Sequence, residues 1–309
     1  MNSSVPGFRQ NFKIAIKRYR VLYILFMPAI VYFLIFKYYP IYGVIIAFKD
    51  YKFKLGILNS PWVGLGHFID MFASAQFWEV FYNTLVISAL KLIFGFPAPI
   101  IFALLINEIY LNRFKRVAQT ISYLPHFISW IVLGGLIKEI VSPSRGIINY
   151  LIVALGGNPI SFLTDERWFL VLLIISYIWQ TFGWNSIIFI AAISGINQEQ
   201  YESAIVDGAK RWQQALYITL PSIMPAISII LILNIGSVLS AGFDQIFNLY
   251  NPAVYSVADI IDTYVYRRGI QNLEYSYSAA VGLLKNAIGV SLVIISNYIC
   301  KRITGDGIW

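Results

Sequence analysis

Residues 201–225, YESAIVDGAKRWQQALYITLPSIMP, form a polar and small-residue stretch between two long apolar segments. Asn197 is a predicted N-cap with Gln200 three residues later, which is typical of a helix start. Residues on one face then recur at helical spacing: Tyr201, Ala204, Ile205, Gly208, Ala209 and Trp212. The pattern predicts a short helix parallel to the membrane, and Pro221 and Pro225 separate it from the apolar segment that follows. From periodicity alone, the helix could equally be an amphipathic connector that rests on lipid headgroups.

The composition of the whole chain is that of a membrane protein. Hydrophobic residues make up 58% of the chain and charged residues 12%, and the mean hydropathy is +0.68. A helix that crosses the bilayer needs about 20 mostly apolar residues. The sequence therefore predicts an all-α membrane protein with six transmembrane helices, near residues 21–47, 81–107, 117–140, 168–195, 222–242 and 277–300. We expect the first span to be short and to end in a turn at Tyr39-Pro40.

The distribution of Lys and Arg predicts the orientation of these spans. With the N-terminus inside, the inner segments hold 12 basic against five acidic residues, and the outer segments hold eight against ten. Both termini are then cytoplasmic, and residues 197–225 become the longest inner loop. Topology and anionic lipid headgroups account for the net charge of +8, so we expect membrane lipid and no nucleic acid as a partner.

The sequence predicts one membrane domain. Residues 1–20 are expected to be a cytoplasmic amphipathic segment, with a helix at 8–20 on the inner leaflet. The transmembrane domain covers residues 21–300, and residues 301–309 form a cytoplasmic tail. The single cysteine, Cys300, cannot form an internal disulfide and has no neighbouring metal ligands in the sequence, so we expect it to be inert.

The loop at 197–225 resembles the EAA loop of bacterial ABC importer permeases, whose pattern is approximately EAAxxDGAxxxxxFxxIxLPxxxP. The matching residues are Glu202, Ala204, Asp207, Gly208, Ala209, Ile218, Leu220, Pro221 and Pro225. The chain departs from the pattern at Ser203, where alanine is usual, and at Leu216, close to where an aromatic residue is common.

The resemblance extends over nearly the whole chain. Four further stretches look like the lpl-type branch of sugar permeases, which take up complex or acidic oligosaccharides: KYYPIYGVIIAFKDYK at 37–52, NTLVISALKLIFGFPAPIIFALLINE at 83–108, YLPHFISW at 123–130 and SYSAAVGLLKNAIGV at 276–290. The branch belongs to the maltose-type group of carbohydrate ABC importers. It implies a type I importer permease (MetI-like) fold, here as the six-span core without the large extracytoplasmic insert.

The same resemblance implies partners and a location in the bacterial cytoplasmic membrane. In such importers the EAA loop forms a coupling helix that inserts into a cytoplasmic ATPase, and the resemblance implies that this helix lies at about residues 198–209 here. The coupling residues would be Tyr201, Glu202, Ala204, Asp207, Gly208 and Ala209. We expect a heterodimer with a second homologous permease, two ABC ATPase subunits and an extracytoplasmic solute-binding protein. The chain has no GxxxxGK[ST] loop, so we expect it to be no enzyme and to bind no cofactor, while the ATPase uses ATP and Mg²⁺.

Spans four and five hold side chains typical of sugar sites, namely aromatic rings and amides. The candidates for the substrate pathway are Tyr177, Gln180, Trp184, Asn185, Asn234 and Ser237. The same residues could instead be polar contacts between helices and an interfacial aromatic belt. His126, after Pro125, is more typical of a hydrogen-bonded packing residue than of a ligand.

Two lysines within the spans, Lys91 and Lys285, complete the candidates for the pathway. An unpaired charge inside the bilayer costs a few kcal/mol or more. Each lysine could reach the outer interface or pair with an acid, for which Glu79 and Asp244 are nearest in depth. A neutral cavity and an uncharged oligosaccharide would then suffice. Otherwise the lysines would form a cationic lining for an acidic sugar.

Two other classes of function remain open at the level of sequence. A secondary transporter or channel could also have six spans and membrane-embedded polar groups, although it would not need a cytoplasmic coupling loop. An integral-membrane enzyme is a third class, but the sequence shows no nucleophile motif or His/Asp/Glu cluster at an interface.

Overall fold

The computed structural model describes residues 18–304. The predicted inner-leaflet helix at 8–20 and the tail at 301–309 lie largely outside these residues. Fifteen helices are named here in chain order: α1 Arg20–Phe48, α2 Gly56–Asn59, α3 Gly66–Ala73, α4 Ala75–Asn107, α5 Asn112–Phe127, α6 Trp130–Ile140, α7 Ile147–Ala154, α8 Glu166–Ser194, α9 Gln198–Val206, α10 Arg211–Ser222, α11 Met224–Gly236, α12 Phe243–Leu249, α13 Tyr255–Ala258, α14 Ile261–Tyr266 and α15 Tyr275–Thr304.

Four of these helices, α1, α4, α8 and α15, are long and apolar enough to cross a membrane. They coincide with the predicted first, second, fourth and sixth spans. The predicted third span corresponds to a bent pair in which α5 meets α6 at 103°. The predicted fifth span overlaps mainly with α11, which meets α10 at 61°, and α10 itself lies almost wholly in the predicted inner loop. The described residues therefore contain four candidate spans, or up to six if each bent pair counts as one.

Prolines explain the bends in the two helix pairs. Pro125 lies in the 3-10 turn that ends α5, and Pro225 lies in the first turn of α11. Neither has an amide hydrogen to continue a preceding helix. The predicted fifth span also ends early, because α11 stops at Gly236 and a loop over residues 237–242 leads to α12.

The predicted turn at Tyr39-Pro40 is wrong. The helix α1 continues to Phe48 through a π-helical turn at Leu34–Tyr38 and a 3-10 helix at Tyr39–Phe48. Pro40 lies in the first turn of that 3-10 helix, where the helix changes from π-helical to 3-10 geometry, and this local irregularity accommodates the missing amide hydrogen.

The buried core is divided into clusters of apolar side chains, and a cavity lies between two of them. The first cluster packs α4, α6, α8 and α12 together through residues such as Ile87, Leu133 and Leu173. Another joins α4 to α8 through Ile100 and Phe189. Along both α4 and α8 a cavity opens between these clusters.

Candidate functional site

The cavity has a volume of about 370 Å³ and is enclosed by α4, α8, α11 and the loop at 237–242. Five of the eight predicted pathway residues line it: Lys91, Tyr177, Asn185, Asn234 and Ser237. Asn185 and Ser237 are exposed, and Asn234 is half-buried, with its amide nitrogen donating to the carbonyl of Ile230 at 2.8 Å. The cavity thus combines amide and hydroxyl groups with one ammonium group.

Lys91 is the charged group of this cavity. It begins the π-helical turn Lys91–Gly95 inside α4, a local irregularity that is common at functional sites. Lys91 is 8% exposed. Its Nζ donates hydrogen bonds to the Ala241 carbonyl at 2.7 Å and to Gln245 Oε1 at 2.5 Å. Nζ also lies 4.7 Å from the centroid of the Tyr177 ring. Within residues 18–302, Lys91 forms no ion pair with an acidic side chain.

Two glycines give Lys91 and Tyr177 their space. A Cβ at Gly95 would lie 2.6 Å from Cε1 of Tyr177, so only glycine lets the ring pack against α4 here. A Cβ at Gly242 would lie 2.7 Å from Lys91 Nζ, and Gly242 also has a φ of +97°. That left-handed conformation is one that glycine adopts without steric cost.

Lys285 is held in a different environment. It forms an ion pair with Asp262 of α14, and it does not line the cavity. Glu79 and Asp244, the acids suggested by sequence, are exposed and make no ion pair within the described residues. The suggestion that one of these acids pairs with Lys285 was wrong. The partner, Asp262, lies on a short helix that packs against α15, and the positions of residues along the predicted spans do not reveal this contact.

Trp184 and Gln180 also lie away from the cavity lining. The indole of Trp184 stacks on the His126 ring with 4.6 Å between centroids and 2° between planes. Gln180 is buried and its Nε2 donates weakly to the His126 carbonyl at 3.5 Å. His126 is a packing residue as expected, but its Nδ1 has no hydrogen-bond partner within the described residues, contrary to the expectation of a bonded ring.

Ser88 and Gln245 are among the residues of the site that sequence reasoning missed. Ser88 lines the cavity, and its buried Oγ has no hydrogen-bond partner within the described residues. Its position three residues before Lys91 on one helix could have revealed it. Gln245 is 1% exposed and lies 154 positions from Lys91, so no local pattern connects the two.

The loop at 197–225 contains a well-defined helix, α9. Asn197 Oδ1 accepts a hydrogen bond from the Glu199 amide at 3.0 Å, which confirms the predicted N-cap. At the other end the Ala209 amide donates to the Ala204 carbonyl at 2.8 Å, and the Gly208 amide donates to Ile205 at 3.0 Å. Gly208 has a φ of +80°, so the helix ends at Val206 in a Schellman motif.

Side chains hold α9 against the next segment. The Tyr201 hydroxyl lies 2.8 Å from Thr219 Oγ1, and Gln214 Nε2 donates to the Ala209 carbonyl at 2.9 Å. Thr219 is 1% exposed, so these bonds fix one side of the loop to a buried part of α10.

The opposite side of α9 is exposed in the part of the chain that the structure describes. Ile205 and Val206 are 61% and 86% exposed, and Glu202 and Asp207 are also exposed. Ile205 is therefore exposed whereas Ala204 is half-buried, although periodicity placed both on one face. The loop presents two apolar side chains and two carboxylates outward from a fixed base.

The family described as "Binding-protein-dependent transport system inner membrane component" matches residues 95–305. The chain belongs to this family. The permease is 46% identical to protein LplB of Bacillus subtilis (strain 168), over 96% of this chain and 93% of LplB. It is 44% identical to the polygalacturonan/rhamnogalacturonan transport system permease protein YteP of the same organism, over 97% of this chain and 94% of YteP.

Solved structures agree with these relatives. The permease superposes with a TM-score of 0.88 on a chain of a bacterial ABC transporter involved in import of the acidic polysaccharide alginate. The two chains are 42% identical, and the match covers 95% of this chain and 99% of the other. A similar match is found in the alginate transporter in complex with an alginate pentasaccharide-bound periplasmic protein.

These likenesses identify the class of function. The protein is the permease of a sugar ABC importer with a mostly helical MetI-like fold, and it is a membrane-embedded transport subunit rather than an enzyme. A separate subunit hydrolyses ATP. A secondary transporter or channel is not favoured.

Proposed function

We propose that this permease forms one half of the pathway of an ATP-driven importer for acidic oligosaccharides. The observation that carries the proposal is Lys91, a buried lysine at the wall of the cavity whose polar partners are neutral. An unpaired cation in a membrane protein is costly, and a carboxylate that enters the cavity lowers that cost. Lys285, which already has Asp262, gives no such preference.

The expected size of the preference follows from the chemistry of Lys91. A hydrogen bond to a charged group contributes about 1.5–3 kcal/mol. That corresponds to about 10- to 150-fold in affinity for a uronate over a neutral sugar. Polygalacturonan and alginate, named for YteP and for the solved transporter, are polymers of such acids, which supports this class of substrate.

The remaining cavity residues suit the hydroxyl groups of a sugar. Asn185, Asn234 and Ser237 would donate and accept hydrogen bonds, and Ser88 offers a buried hydroxyl that has no partner among the described residues. Tyr177 would provide an aromatic face beside Lys91. A role for Trp184 as a stacking platform would require it to leave His126, and Gln180 and Lys285 would contribute only outside this cavity.

We also propose six spans with both termini in the cytoplasm of a bacterium, with the transmembrane domain at 21–300 between the segments 1–20 and 301–309. Four long helices, two bent pairs and the excess of Lys and Arg on one side support this topology. It places α9 on the cytoplasmic side, where its exposed apolar and acidic side chains suit the cleft of an ATPase.

The complete importer would contain this permease, a second homologous permease, two ABC ATPases and an extracytoplasmic binding protein. Glu202, Asp207 and the cap at Gly208 would dock α9, while Tyr201, Ala204 and Ala209 hold its base. The permease itself would bind no cofactor, and ATP and Mg²⁺ would be used by the ATPases.

Copurification tests this assembly. The permease is expressed with the permease and ATPase genes that neighbour its own, and the complex is weighed by mass photometry. We expect one copy of each permease and two ATPase subunits, with transport that requires ATP. A monomeric chain that transports without ATP would contradict the proposal.

The substrate class is tested with trigalacturonate and its fully methyl-esterified form, which differ in charge and little in shape. Lys91→Met should lower ATP-dependent uptake of the acid by about 10-fold or more relative to the ester. Lys285→Met is the matched control, and its acid-to-ester ratio should stay within about twofold of the wild type, because Lys285 does not line the cavity. Uptake is normalised to the amount of assembled importer, because this variant leaves Asp262 without its partner. Equal changes of the ratio in both variants would show that Lys91 has no special role.

A further inference from the structure

We propose that Gln245 sets the charge selectivity of the cavity, because it positions Lys91 as a cation that no acidic side chain of the described residues neutralises. This inference rests on the proposed function and adds a positioning residue to it. Gln245 lies in the first turn of α12, just after the loop that closes the cavity.

The hydrogen bonds of Gln245 fix the orientation of its amide. Its Nε2 donates to the Leu173 carbonyl at 2.7 Å and to Ser176 Oγ at 2.9 Å. The Ser176 hydroxyl donates to the Leu172 carbonyl at 2.7 Å, so its oxygen is left to accept. Both amide hydrogens are therefore used on α8, and Oε1 must face Lys91.

This arrangement requires an amide and disfavours a carboxylate. An ionised glutamate has no hydrogen to donate, so one of its oxygens would face the Leu173 carbonyl oxygen without a bond. Glutamine satisfies two acceptors of α8 and still offers an acceptor to Lys91. The ammonium is thus held at the cavity wall by neutral groups, and its charge remains available to a substrate.

The rest of the Lys91 environment agrees with this role. The Ala241 carbonyl supplies the other acceptor, and Gly242 leaves room for Nζ where a Cβ would be 2.7 Å away. The turn from Ala241 to Gln245 therefore surrounds one side of the ammonium with backbone and amide groups. A glutamate at position 245 would add a negative charge at hydrogen-bond distance from Nζ.

The competing explanation is that Gln245 only joins α12 to α8, as polar side chains often do between membrane helices. A structural role of that kind would affect the uptake of charged and neutral sugars alike. A positioning role for Lys91 changes the ratio between them. The ratio of trigalacturonate to its methyl ester therefore separates the two explanations.

The test measures ATP-dependent uptake of both sugars by the assembled importer with Gln245→Glu, Gln245→Met and Ser176→Ala. Gln245→Glu should lower the acid-to-ester ratio by about 10-fold, because an ion pair replaces the free cation. Gln245→Met, which is neutral and lacks the acceptor, should lower it by a smaller factor, and it keeps the test valid if the glutamate variant fails to assemble. Ser176→Ala removes one of the two acceptors that orient the Gln245 amide and keeps the acceptor for Lys91, so it should lower the ratio by a smaller factor than Gln245→Met does.

The outcomes distinguish this inference from the proposed function. If the wild type takes up acid and ester equally, the proposed substrate class is wrong. If Lys91→Met lowers the ratio while both Gln245 variants keep the wild-type ratio, the substrate class stands and the role of Gln245 is overturned. A parallel loss of both sugars in the Gln245 variants would also overturn it, in favour of a purely structural role.

Discussion

Substitution of Gly208 should uncouple transport by opening the C-terminal cap of α9. The residue has a φ of +80°, and a Cβ there would meet no described atom within 4 Å apart from those of its two chain neighbours. The cost of a side chain is therefore the backbone cost alone, about 1–2 kcal/mol for a residue with a Cβ and at the upper end for a β-branched one. Gly208→Val should shift the equilibrium between formed and open cap by up to about 30-fold, since 1.4 kcal/mol is a factor of ten.

The effect on function follows from the two bonds that the cap makes. Without the left-handed residue, the amides of Gly208 and Ala209 lose the carbonyls of Ile205 and Ala204, and the end of α9 that carries Val206 loses its fixed position. ATPase association and sugar-stimulated ATP hydrolysis should both fall, while insertion into the membrane is unchanged. Association is measured by copurification and hydrolysis by phosphate release.

Two controls make the result specific. Gly208→Asn should recover most of the coupling, because asparagine tolerates the left-handed region better than valine. Gly195→Val introduces the same side chain just before the loop, at a φ of −87° with only an ordinary contact to the Ala192 carbonyl, and it should couple normally. Wild-type coupling in Gly208→Val, or an equal loss in Gly195→Val, would refute the reasoning.

Three further predictions use other contacts. Tyr201→Phe removes the hydrogen bond to Thr219 and should weaken ATPase association by about 1 kcal/mol. Tyr217→Phe, at an exposed tyrosine, should have no effect, and binding curves of the ATPase to each variant compare the two. Lys285→Met leaves Asp262 without its partner and should lower the thermal unfolding midpoint in detergent, and Asp262→Asn should do the same; an unchanged midpoint in both would argue against the ion pair. Asn234→Ala should lower sugar uptake more than binding-protein docking, and more than Trp184→Ala does, because Asn234 lines the cavity and Trp184 stacks on His126; the reverse order would move the site.

Features set by local sequence could be predicted. The helices α4, α8 and α15 coincide with predicted spans because each is a long apolar run whose backbone must bond internally. The cap at Asn197 was also predicted, since it depends on neighbouring residues only. The predicted turn at Pro40 failed because proline is compatible with the first turn of a helix as well as with a turn.

Features set by contacts between distant segments could not be predicted. The neutral partners of Lys91 come from a loop about 150 positions away, which turns back toward α4 only in the folded chain. Asp262 reaches Lys285 in the same way, through the packing of α14 against α15. The bend of 103° between α5 and α6 has a local signal in Pro125, but its angle depends on packing.

The most direct test of the central claim is ATP-driven accumulation of an acidic oligosaccharide by the purified importer. Proteoliposomes that contain this permease, its partner permease and the ATPases receive binding protein loaded with trigalacturonate or with its methyl ester, and ATP or a non-hydrolysable analogue is enclosed. We predict accumulation of the acid with ATP, little with the analogue, and at least about 10-fold less accumulation of the ester. Equal accumulation of acid and ester, or accumulation without hydrolysis, would contradict the account.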